Sequence, residues 1–296
     1  MPLRALPPPV RTTATDGLLL VDKPPGVTSH DVVAATRRIL HTRRVGHTGT
    51  LDPFATGLLI LLVGHGTRLS RFVDDEPKVY DATITFGAET STHDLTGEIT
   101  RVVEPPAATA IDEAMTALTG PIQQQPPEYS AKRVAGKRAY AAARAGTPLV
   151  LEPVTVVVHE WLVRRRTLTT LDVTITCAGG TYVRALARDL GRASGSAAHL
   201  TALRRIRCGA FEVAAALRLE ELFADQVVLV PLRSAIPQLP AQTLGAEELR
   251  RVLHGNAVDA RVDAPLVALI DVDGELVAVA VRAGATFQPR VVVRDV

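Results

Sequence analysis

The sequence predicts an α+β protein with a mixed or antiparallel central sheet, followed by a small β-rich C-terminal domain. Predicted strands and helices occur in runs rather than in strict alternation, which favours this class over a parallel βαβ fold. Pro231, Pro237 and Pro240 interrupt the pattern and mark a boundary between the two domains. With 296 residues, of which 47% are hydrophobic, the chain can bury one large core and one smaller core.

The first elements are predicted from apolar periodicity and helix capping. Residues 1–16 contain Pro7-Pro8-Pro9 and are expected to form a disordered leader. Leu18 to Val21 should form a short buried strand. Thr28 and Asp31 have the spacing of a capping box, which predicts that a helix begins after Thr28.

The middle of the chain contains further strands and helices. Residues 79–88 alternate between apolar and polar side chains, as is typical of a half-buried strand. A second capping box is predicted at Thr109 and Asp112, for a helix that ends near Gly120. Residues 121–152 differ in composition: a segment rich in Pro and Gln leads into a basic, Ala-rich one. The elements predicted after it are strands at Val154–Val163 and Leu168–Cys177 and a helix at Tyr182–Ser194.

The C-terminal unit, residues 236–296, is predicted to be a small β-rich barrel. A short helix over Glu247–His254 should end at Gly255. Asp273-Gly274 is a strong signal for a two-residue hairpin between strands Leu266–Val272 and Glu275–Val281. Residues 288–294 add another strand.

Charge and composition limit the classes of function. The net charge of +2 neither requires nor excludes a nucleic-acid partner, but the basic residues form clusters that phosphates could contact. For any single cluster, an ordinary solvated helix face is the better explanation. The two cysteines, Cys177 and Cys208, are too few for a disulfide scaffold and favour a reducing cytoplasm. The histidines show no metal-ligand spacing, and no apolar run approaches the roughly 20 residues of a membrane span.

The stretch Gly46–Leu59 is the most informative part of the chain, because it places one carboxylate, Asp52, in a glycine-rich segment. A buried Asp is costly unless it has a partner or a chemical role. Pro53 favours an extended conformation at Asp52, and the apolar run Leu58–Val63 would anchor the segment in a core. The alternative is structural: Asp followed by Pro is a common helix start, with Asp as the N-cap.

The whole string resembles the signature G-H-x-G-x-L-D-P-x-A-x-G-x-L of the tRNA pseudouridine synthase B (TruB) family. The resemblance covers residues 17–211 in order. Its other motifs are Asp22–Ser29 (DKPPGVTS), Lys78–Tyr80 (KVY), residues 87–97 (GAETSTHDLTG), residues 125–146, Gly180–Arg184 (GTYVR) with Asp189–Gly191, and His199-Leu200 with Leu203–Arg205. Thr50 departs from the Ala that is common at its position. The final unit resembles, less specifically, the RNA-binding PUA-type domain of many members.

This resemblance implies a pseudouridine synthase fold with a central mixed, mainly antiparallel sheet in residues 17–232, and a PUA-like domain in residues 236–296. It also implies isomerisation of uridine to pseudouridine, in which the C1′–N1 bond breaks and C5 of the base rejoins C1′. The reaction exchanges no electrons or groups, so no cofactor and no metal is expected. Asp52 would be the essential carboxylate. Attack on C1′, deprotonation at C2′ and attack on C6 of the base all remain open as its role.

The resemblance places six further residues in the substrate pocket. Arg184 would pair with Asp52, and the alternative is a phosphate contact or a charge on the helix surface. Tyr80 would stack on the flipped uracil, unless it is a core tyrosine. Leu203 would pack against the base or simply belong to the core, and His47 would hold the opened loop or a turn. Lys23 and Tyr182 are assigned to the same pocket without separate roles.

Residues 121–152 resemble the family's RNA-gripping insertion, and the alternative is a flexible surface loop. Its candidate contacts to the RNA backbone are Lys132, Arg133, Lys137 and Arg138. The expected partner is the T-arm stem-loop of tRNA, modified at position 55 of the standard count, by a monomer without an obligatory protein partner. Two other functions are weighed: a guide-RNA-dependent synthase subunit, which would lack the long insertion, and a non-catalytic RNA-binding or tRNA-folding protein.

Overall fold

The computed structural model describes residues 15–73, 76–129, 133–134, 137–138, 147, 151–223 and 227–295. For residues 133–134 and 137–138 it describes the backbone. The predicted leader therefore lies outside the described residues, apart from Thr15 and Asp16. Asp16 accepts a hydrogen bond of 2.5 Å from the backbone N–H of His65.

The described chain contains four α-helices, short 3₁₀ segments and nineteen strands. The helices are α1 (Ser29–Ile39), α2 (Ala108–Ala117), α3 (Val183–Ala193) and α4 (Ala246–Leu253). The strands up to the end of the described insertion residues are β1 (Gly17–Lys23), β2 (Val45–Thr48), β3 (Thr56–Val63), β4 (Lys78–Phe86), β5 (Ala88–Thr90), β6 (Ile99–Val102), β7 (Gly120–Gln124), β8 (Arg133–Val134) and β9 (Lys137–Arg138). Those that follow are β10 (Val154–Arg166), β11 (Thr170–Cys177), β12 (Ala198–Cys208), β13 (Phe211–Glu212), β14 (Leu217–Arg218), β15 (Ala241–Thr243), β16 (Val258–Asp259), β17 (Leu266–Ile270), β18 (Leu276–Ala283) and β19 (Thr286–Val292). None of the helices in the described ranges is long and apolar enough to cross a membrane.

The main sheet has the strand order β14-β1-β3-β12-β4-β11-β10-β7, with β2 paired to β3 and β13 to β12. The β1–β14 and β3–β12 pairs are parallel, and the other pairs are antiparallel. The prediction of a mixed, mainly antiparallel sheet is therefore confirmed. Strand β12 lies at its centre, between β3 and β4.

Strand β3 is apolar on both faces because both faces of the sheet are covered there. Leu59 and Leu61 face a core built with the three helices α1, α2 and α3. Leu58, Ile60 and Leu62 face a second core on the opposite side of the sheet. On β4, apolar residues at 82, 84 and 86 are buried between less buried neighbours, as its alternation predicts.

The C-terminal domain is a five-stranded sheet of order β15-β17-β18-β19-β16, with α4 packed beside it. Its apolar side chains share the second core with the main sheet, through Ala268, Leu276, Val279 and Val293. Arg68, which follows β3 of the main sheet, donates a hydrogen bond of 2.7 Å to the Val292 carbonyl. The terminal sheet is thus a recognisable β-rich domain, but it is packed continuously against the main sheet.

Two local predictions are wrong. The Thr109–Asp112 capping box does not form: α2 begins after Ala107, no side chain caps it, and the Asp112 carboxylate instead binds Arg166. The Asp273-Gly274 hairpin has a longer turn than two residues, because β17 ends at Ile270 and β18 begins at Leu276. Asp271 determines this turn, since its carboxylate accepts hydrogen bonds from the N–H groups of Asp273 and Glu275. The capping box at Thr28 and Asp31 is present.

Candidate active site

Asp52 lies in an irregular segment between β2 and β3 that forms no helix, so the N-cap alternative is wrong. The segment is held on both sides of Asp52. The backbone N–H and C=O of Leu51 both bond to the Ser29 hydroxyl, at 2.9 and 3.1 Å. The Pro53 carbonyl accepts a hydrogen bond of 2.8 Å from the N–H of Gly26. The backbone around the carboxylate is therefore fixed by the loop that precedes α1.

Arg184 holds the Asp52 carboxylate through two parallel hydrogen bonds. Its Nε donates to Oδ2 and its Nη2 to Oδ1, each at 2.8 Å. The guanidinium is also fixed from behind, since it donates to the carbonyls of Thr92 and Tyr129 at 3.0 and 2.8 Å. The Asp94 carboxylate lies 3.7 Å from Arg184 Nη1. This bidentate geometry restricts the orientation of Asp52 as well as its charge.

The start of α3 determines where Arg184 points. Gly180 has φ of +81°, which favours glycine, and the chain turns there into the helix. Tyr182 is the N-cap residue, and its backbone N–H bonds to Oε1 of the buried Gln124 at 2.8 Å. Arg184 therefore projects from the first turn of a helix whose entry is fixed by β7.

Burial and the neighbouring charge of Arg184 shift the pKa of Asp52 in opposite directions. Burial raises the pKa of its carboxyl above the ordinary value, while the charge and hydrogen bonds of Arg184 oppose that rise. The side chain of Asp52 is still 31% exposed, against 5% for Arg184. The carboxylate is therefore paired at its inner side and open to a ligand at its outer side.

Asp52 opens into a cavity of about 230 Å³. The residues that line it are Gly49, Thr50, Leu51, Asp52, Lys78, Tyr80, Gly180, Thr181, Tyr182, Val183, Arg184, Leu203 and Arg205. Five of the seven pocket residues predicted from the sequence are thus brought together: Asp52, Tyr80, Tyr182, Arg184 and Leu203. Burial raises the pKa of Tyr80 to about 12, so its hydroxyl is neutral at physiological pH.

Lys23 lies behind the Asp52 segment and does not line the cavity. It is fully buried, and its ammonium donates to the carbonyls of Pro24, Val27 and Pro53 at 2.9, 2.8 and 3.2 Å. Burial lowers its pKa to about 8. Because Pro53 directly follows Asp52, Lys23 contacts the segment that carries Asp52 through its backbone and does not contact the cavity.

His47 is on β2, paired with Leu61, and it also lies outside the lining of the cavity. Its Nδ1 is buried and has no hydrogen-bond partner among the described residues. Burial lowers the pKa of His47, and the charge of Arg205 adds to that effect, so the ring is neutral at physiological pH.

Three charged residues at the site were not predicted: Lys78, Asp94 and Arg205. Each lies in a motif of the resemblance, and Lys78 and Arg205 each lie two positions from a residue that was chosen. Lys78 precedes Tyr80 in KVY, Asp94 ends the polar part of GAETSTHDLTG, and Arg205 follows Leu203. Asp94 is 4% exposed and accepts hydrogen bonds from Thr92 and Thr96.

The predicted RNA-backbone contacts cannot be placed in the site. Lys132 lies outside the described residues, and for Arg133, Lys137 and Arg138 the description is limited to the backbone. These three belong to the antiparallel pair β8–β9, in which Arg133 is opposite Arg138.

Comparison with known proteins identifies the family. Residues 37–183 match the profile of the TruB family pseudouridylate synthase N-terminal domain, and residues 184–236 match the tRNA pseudouridylate synthase B C-terminal domain. The tRNA pseudouridine synthase B of Thermobifida fusca (strain YX) is 45% identical over 290 residues, covering 94% of this chain and 98% of that protein. The protein of the same name from Mycobacterium tuberculosis (strain H37Rv) is 41% identical over 285 residues, with coverage of 94% and 96%.

Solved structures share the fold. A chain in the crystal structure of a Cbf5-Nop10-Gar1 complex superposes with a TM-score of 0.71 at 25% identity, covering 95% of this chain and 86% of that one. A chain in an H/ACA RNP bound to a substrate RNA gives a TM-score of 0.70 at 23% identity, with coverage of 94% and 85%. With the family profiles and the identity to curated relatives, these similarities establish that the chain belongs to the TruB family of pseudouridylate synthases and has the pseudouridine synthase fold.

Proposed function

We propose that this protein isomerises uridine to pseudouridine in tRNA, at position 55 of the T-loop. The observation that carries the proposal is the Asp52 carboxylate, which Arg184 holds by two hydrogen bonds at the edge of an open cavity. The relatives at 41–45% identity are named tRNA pseudouridine synthase B, which favours tRNA as the substrate.

The cavity suits a single flipped nucleotide. A uridine inside a folded loop must leave its stack before an enzyme can reach its glycosidic bond, and an aromatic ring then replaces the lost stacking. Tyr80 offers that ring, and Leu203 offers an apolar surface on the same cavity wall. Both are buried, so the pocket is formed before the base enters.

In this mechanism, Asp52 acts on the ribose or the base while Arg184 keeps it ionised and oriented. The C1′–N1 bond breaks, the uracil turns within the cavity, and C5 bonds to C1′ as the C5 proton is released and N1 is protonated. Asp52 attacks C1′, removes the C2′ proton or attacks C6; the arrangement is compatible with all three routes. Because Arg184 donates from behind, the outer side of the carboxylate stays available.

We further propose that the enzyme acts alone, as a cytoplasmic monomer. The experiment is to incubate the purified protein with unmodified tRNA transcript, without guide RNA, and to map pseudouridine at single-nucleotide resolution. The proposal expects one modified uridine, at position 55. Modification only when guide RNA and partner proteins are added would favour the guide-dependent class. Tight tRNA binding without any pseudouridine would favour a non-catalytic RNA-binding protein.

A further inference from the structure

Arg205 is the most deeply buried cation in the cavity wall. It lies on the central strand β12, where its backbone is paired with Gly57 of β3 on one side and with Tyr80 of β4 on the other. The residue is 1% exposed. Its Nε donates to the Leu58 carbonyl at 2.7 Å, and its Nη2 donates to the Gly49 carbonyl at 2.9 Å.

The positive charge of Arg205 is not neutralised by a neighbouring acid. Among the residues that the structure describes, no carboxylate forms an ion pair with it, and its side-chain hydrogen bonds go to the backbone carbonyls of Leu58 and Gly49. The neighbouring Arg204 differs, since it binds both oxygens of Asp22 at 3.0 and 2.7 Å. Arg184 is likewise neutralised by Asp52. Since a buried, unpaired charge is costly, Arg205 is expected to have a function that requires the charge.

The guanidinium of Arg205 also lies beside Gly49, in the segment that carries Asp52. A Cβ atom on Gly49 would lie 3.2 Å from Arg205 Nη1 and 3.3 Å from Lys78 Nζ, so two cations meet over this glycine. Gly49 has φ of +64°, which also favours glycine there. Arg205 therefore connects the segment that carries Asp52 with the strand that carries Tyr80. The charge of Arg205 also acts on neighbouring groups. It helps to lower the pKa of Lys23 and the pKa of His47, although burial is the larger cause of both shifts.

We propose that Arg205 supplies an uncompensated positive charge that stabilises negative charge developing on the uracil, in addition to positioning Tyr80 and Gly49. This inference rests on the proposed function. When the C1′–N1 bond breaks, its electron pair leaves with N1; if Asp52 instead attacks C6, an electron pair moves toward O4. The base therefore becomes anionic in every route. It becomes neutral again when C5 has bonded to C1′, C5 has lost its proton and N1 has gained one, so no co-reactant is needed.

A fixed charge beside the base would act as a preorganised electrostatic group. Such a group is most effective in a site that excludes water, where removal of one donor typically costs a factor of about 10² to 10³ in rate. Arg184 cannot fill this role to the same extent because its charge is balanced by Asp52. Arg205 is thus an electrostatic and positioning residue, with its effect on the transition state and not on RNA affinity.

The test measures single-turnover rate constants, at saturating enzyme, for Arg205→Gln and Arg205→Lys on tRNA transcript. We expect Arg205→Gln to lower the rate by about a hundredfold while tRNA affinity stays within about threefold. Arg205→Lys keeps the charge but lacks the planar guanidinium and its several N–H donors. Its rate constant should remain within about tenfold of the wild-type value. Equal rates for Arg205→Gln and wild type would overturn the inference, as would an Arg205→Lys rate as low as that of Arg205→Gln.

Arg233→Gln is a matched control. Arg233 is a partly buried arginine that also binds only carbonyls, those of Ile236 and Leu239, and it lies outside the cavity. Arg233→Gln should lower the melting temperature without slowing the reaction. If Arg205→Gln does not fold, the comparison of Arg205→Lys with the wild type decides: a rate within about tenfold supports the charge role, and a larger loss contradicts it.

A second measurement does not depend on activity. The pKa of His47, followed by NMR titration of the free protein, should rise in Arg205→Gln and stay near the wild-type value in Arg205→Lys and Arg233→Gln. An unchanged His47 pKa in folded Arg205→Gln would show that the charge does not reach the site, and would overturn the inference. Wild-type protein that forms no pseudouridine in tRNA would instead refute the proposed function, so the two failures are distinguishable.

Discussion

Replacing Arg184 tests the proposed role of the Asp52–Arg184 pair most sharply, because one side chain makes four hydrogen bonds at the site. Arg184→Ala removes the two bonds to Asp52 and the bonds to the carbonyls of Thr92 and Tyr129. Asp52 would then be left half-buried without its cation. We expect the rate of isomerisation to fall because the carboxylate loses both its orientation and part of its ionisation.

The magnitude follows from burial. Removing one partner of a buried ion pair costs about 3–5 kcal/mol. Since the Asp52 side chain is 31% exposed, the lower end of that range applies. If the loss appears in the transition state, about 3 kcal/mol corresponds to a rate reduced roughly 150-fold. Arg184→Lys should fall in between, because an ammonium lacks the planar fork that matches a carboxylate.

The pH dependence has a definite sign. The charge of Arg184 lowers the pKa of Asp52, so its removal raises that pKa further above the ordinary value. Because the proposed mechanism uses the ionised carboxylate, we expect the rate to fall as the pH drops through this pKa. The acid limb of the pH–rate profile should therefore lie at higher pH in Arg184→Ala than in the wild type.

The assay is single-turnover release of tritium from tRNA carrying [5-³H]uridine, at saturating enzyme, from pH 5 to 9. Arg188→Ala is the matched control, since Arg188 follows one turn later on α3, is equally buried and binds Asp189 and the Gln125 carbonyl. Its rate should stay within about threefold of the wild type. A similar rate for Arg184→Ala, or an acid limb that does not move, would refute the reasoning.

Three further predictions concern the base, the RNA backbone and the C-terminal domain. Tyr80→Ala should slow single turnover by about 5- to 150-fold, the range expected for one lost stacking contact, while Tyr80→Phe should lose much less; equal rates would contradict stacking. Alanine at the four cations of the insertion should weaken tRNA binding and make it less dependent on salt. The slope of log Kd against log salt should decrease by roughly 0.7–0.9 per lost phosphate contact, and an unchanged slope would contradict their role. The cations are Lys132, Arg133, Lys137 and Arg138. Deletion of residues 236–296 should lower the melting temperature sharply, because it exposes Leu58, Ile60 and Leu62; a truncated protein with wild-type stability would show that the shared core contributes little.

The local elements were predictable because their signals are local. The alternation on β4, the apolar run of β3 and the Thr28–Asp31 cap each depend on residues close in sequence. The capping box predicted at Thr109 does not form, because the helix begins earlier, shortly after Pro105-Pro106. In addition, the Asp112 carboxylate forms an ion pair with Arg166, which is distant in sequence.

The site was predictable only in part. Asp52 and Arg184 are 132 residues apart, so nothing local pairs them, and the family resemblance supplied the match. Arg204 and Arg205 look alike in sequence, yet one faces Asp22 and the other is buried in the cavity wall. The two apolar faces of β3 predict that both are covered. The sequence of β3 does not show that the C-terminal domain covers one of these faces, because this contact depends on packing between segments that are distant in sequence.

Asp52→Asn on full-length tRNA tests the central claim most directly, with single-turnover rate and binding affinity measured on the same preparation. We expect no detectable pseudouridine and an affinity within about tenfold of the wild type, or roughly 1.4 kcal/mol, because binding would come from many phosphate contacts and the chemistry from one carboxylate. Asp172→Asn, which alters an arginine-paired carboxylate outside the cavity, should leave the rate unchanged. Pseudouridine formed at the wild-type rate by Asp52→Asn would show that Asp52 is not the essential carboxylate.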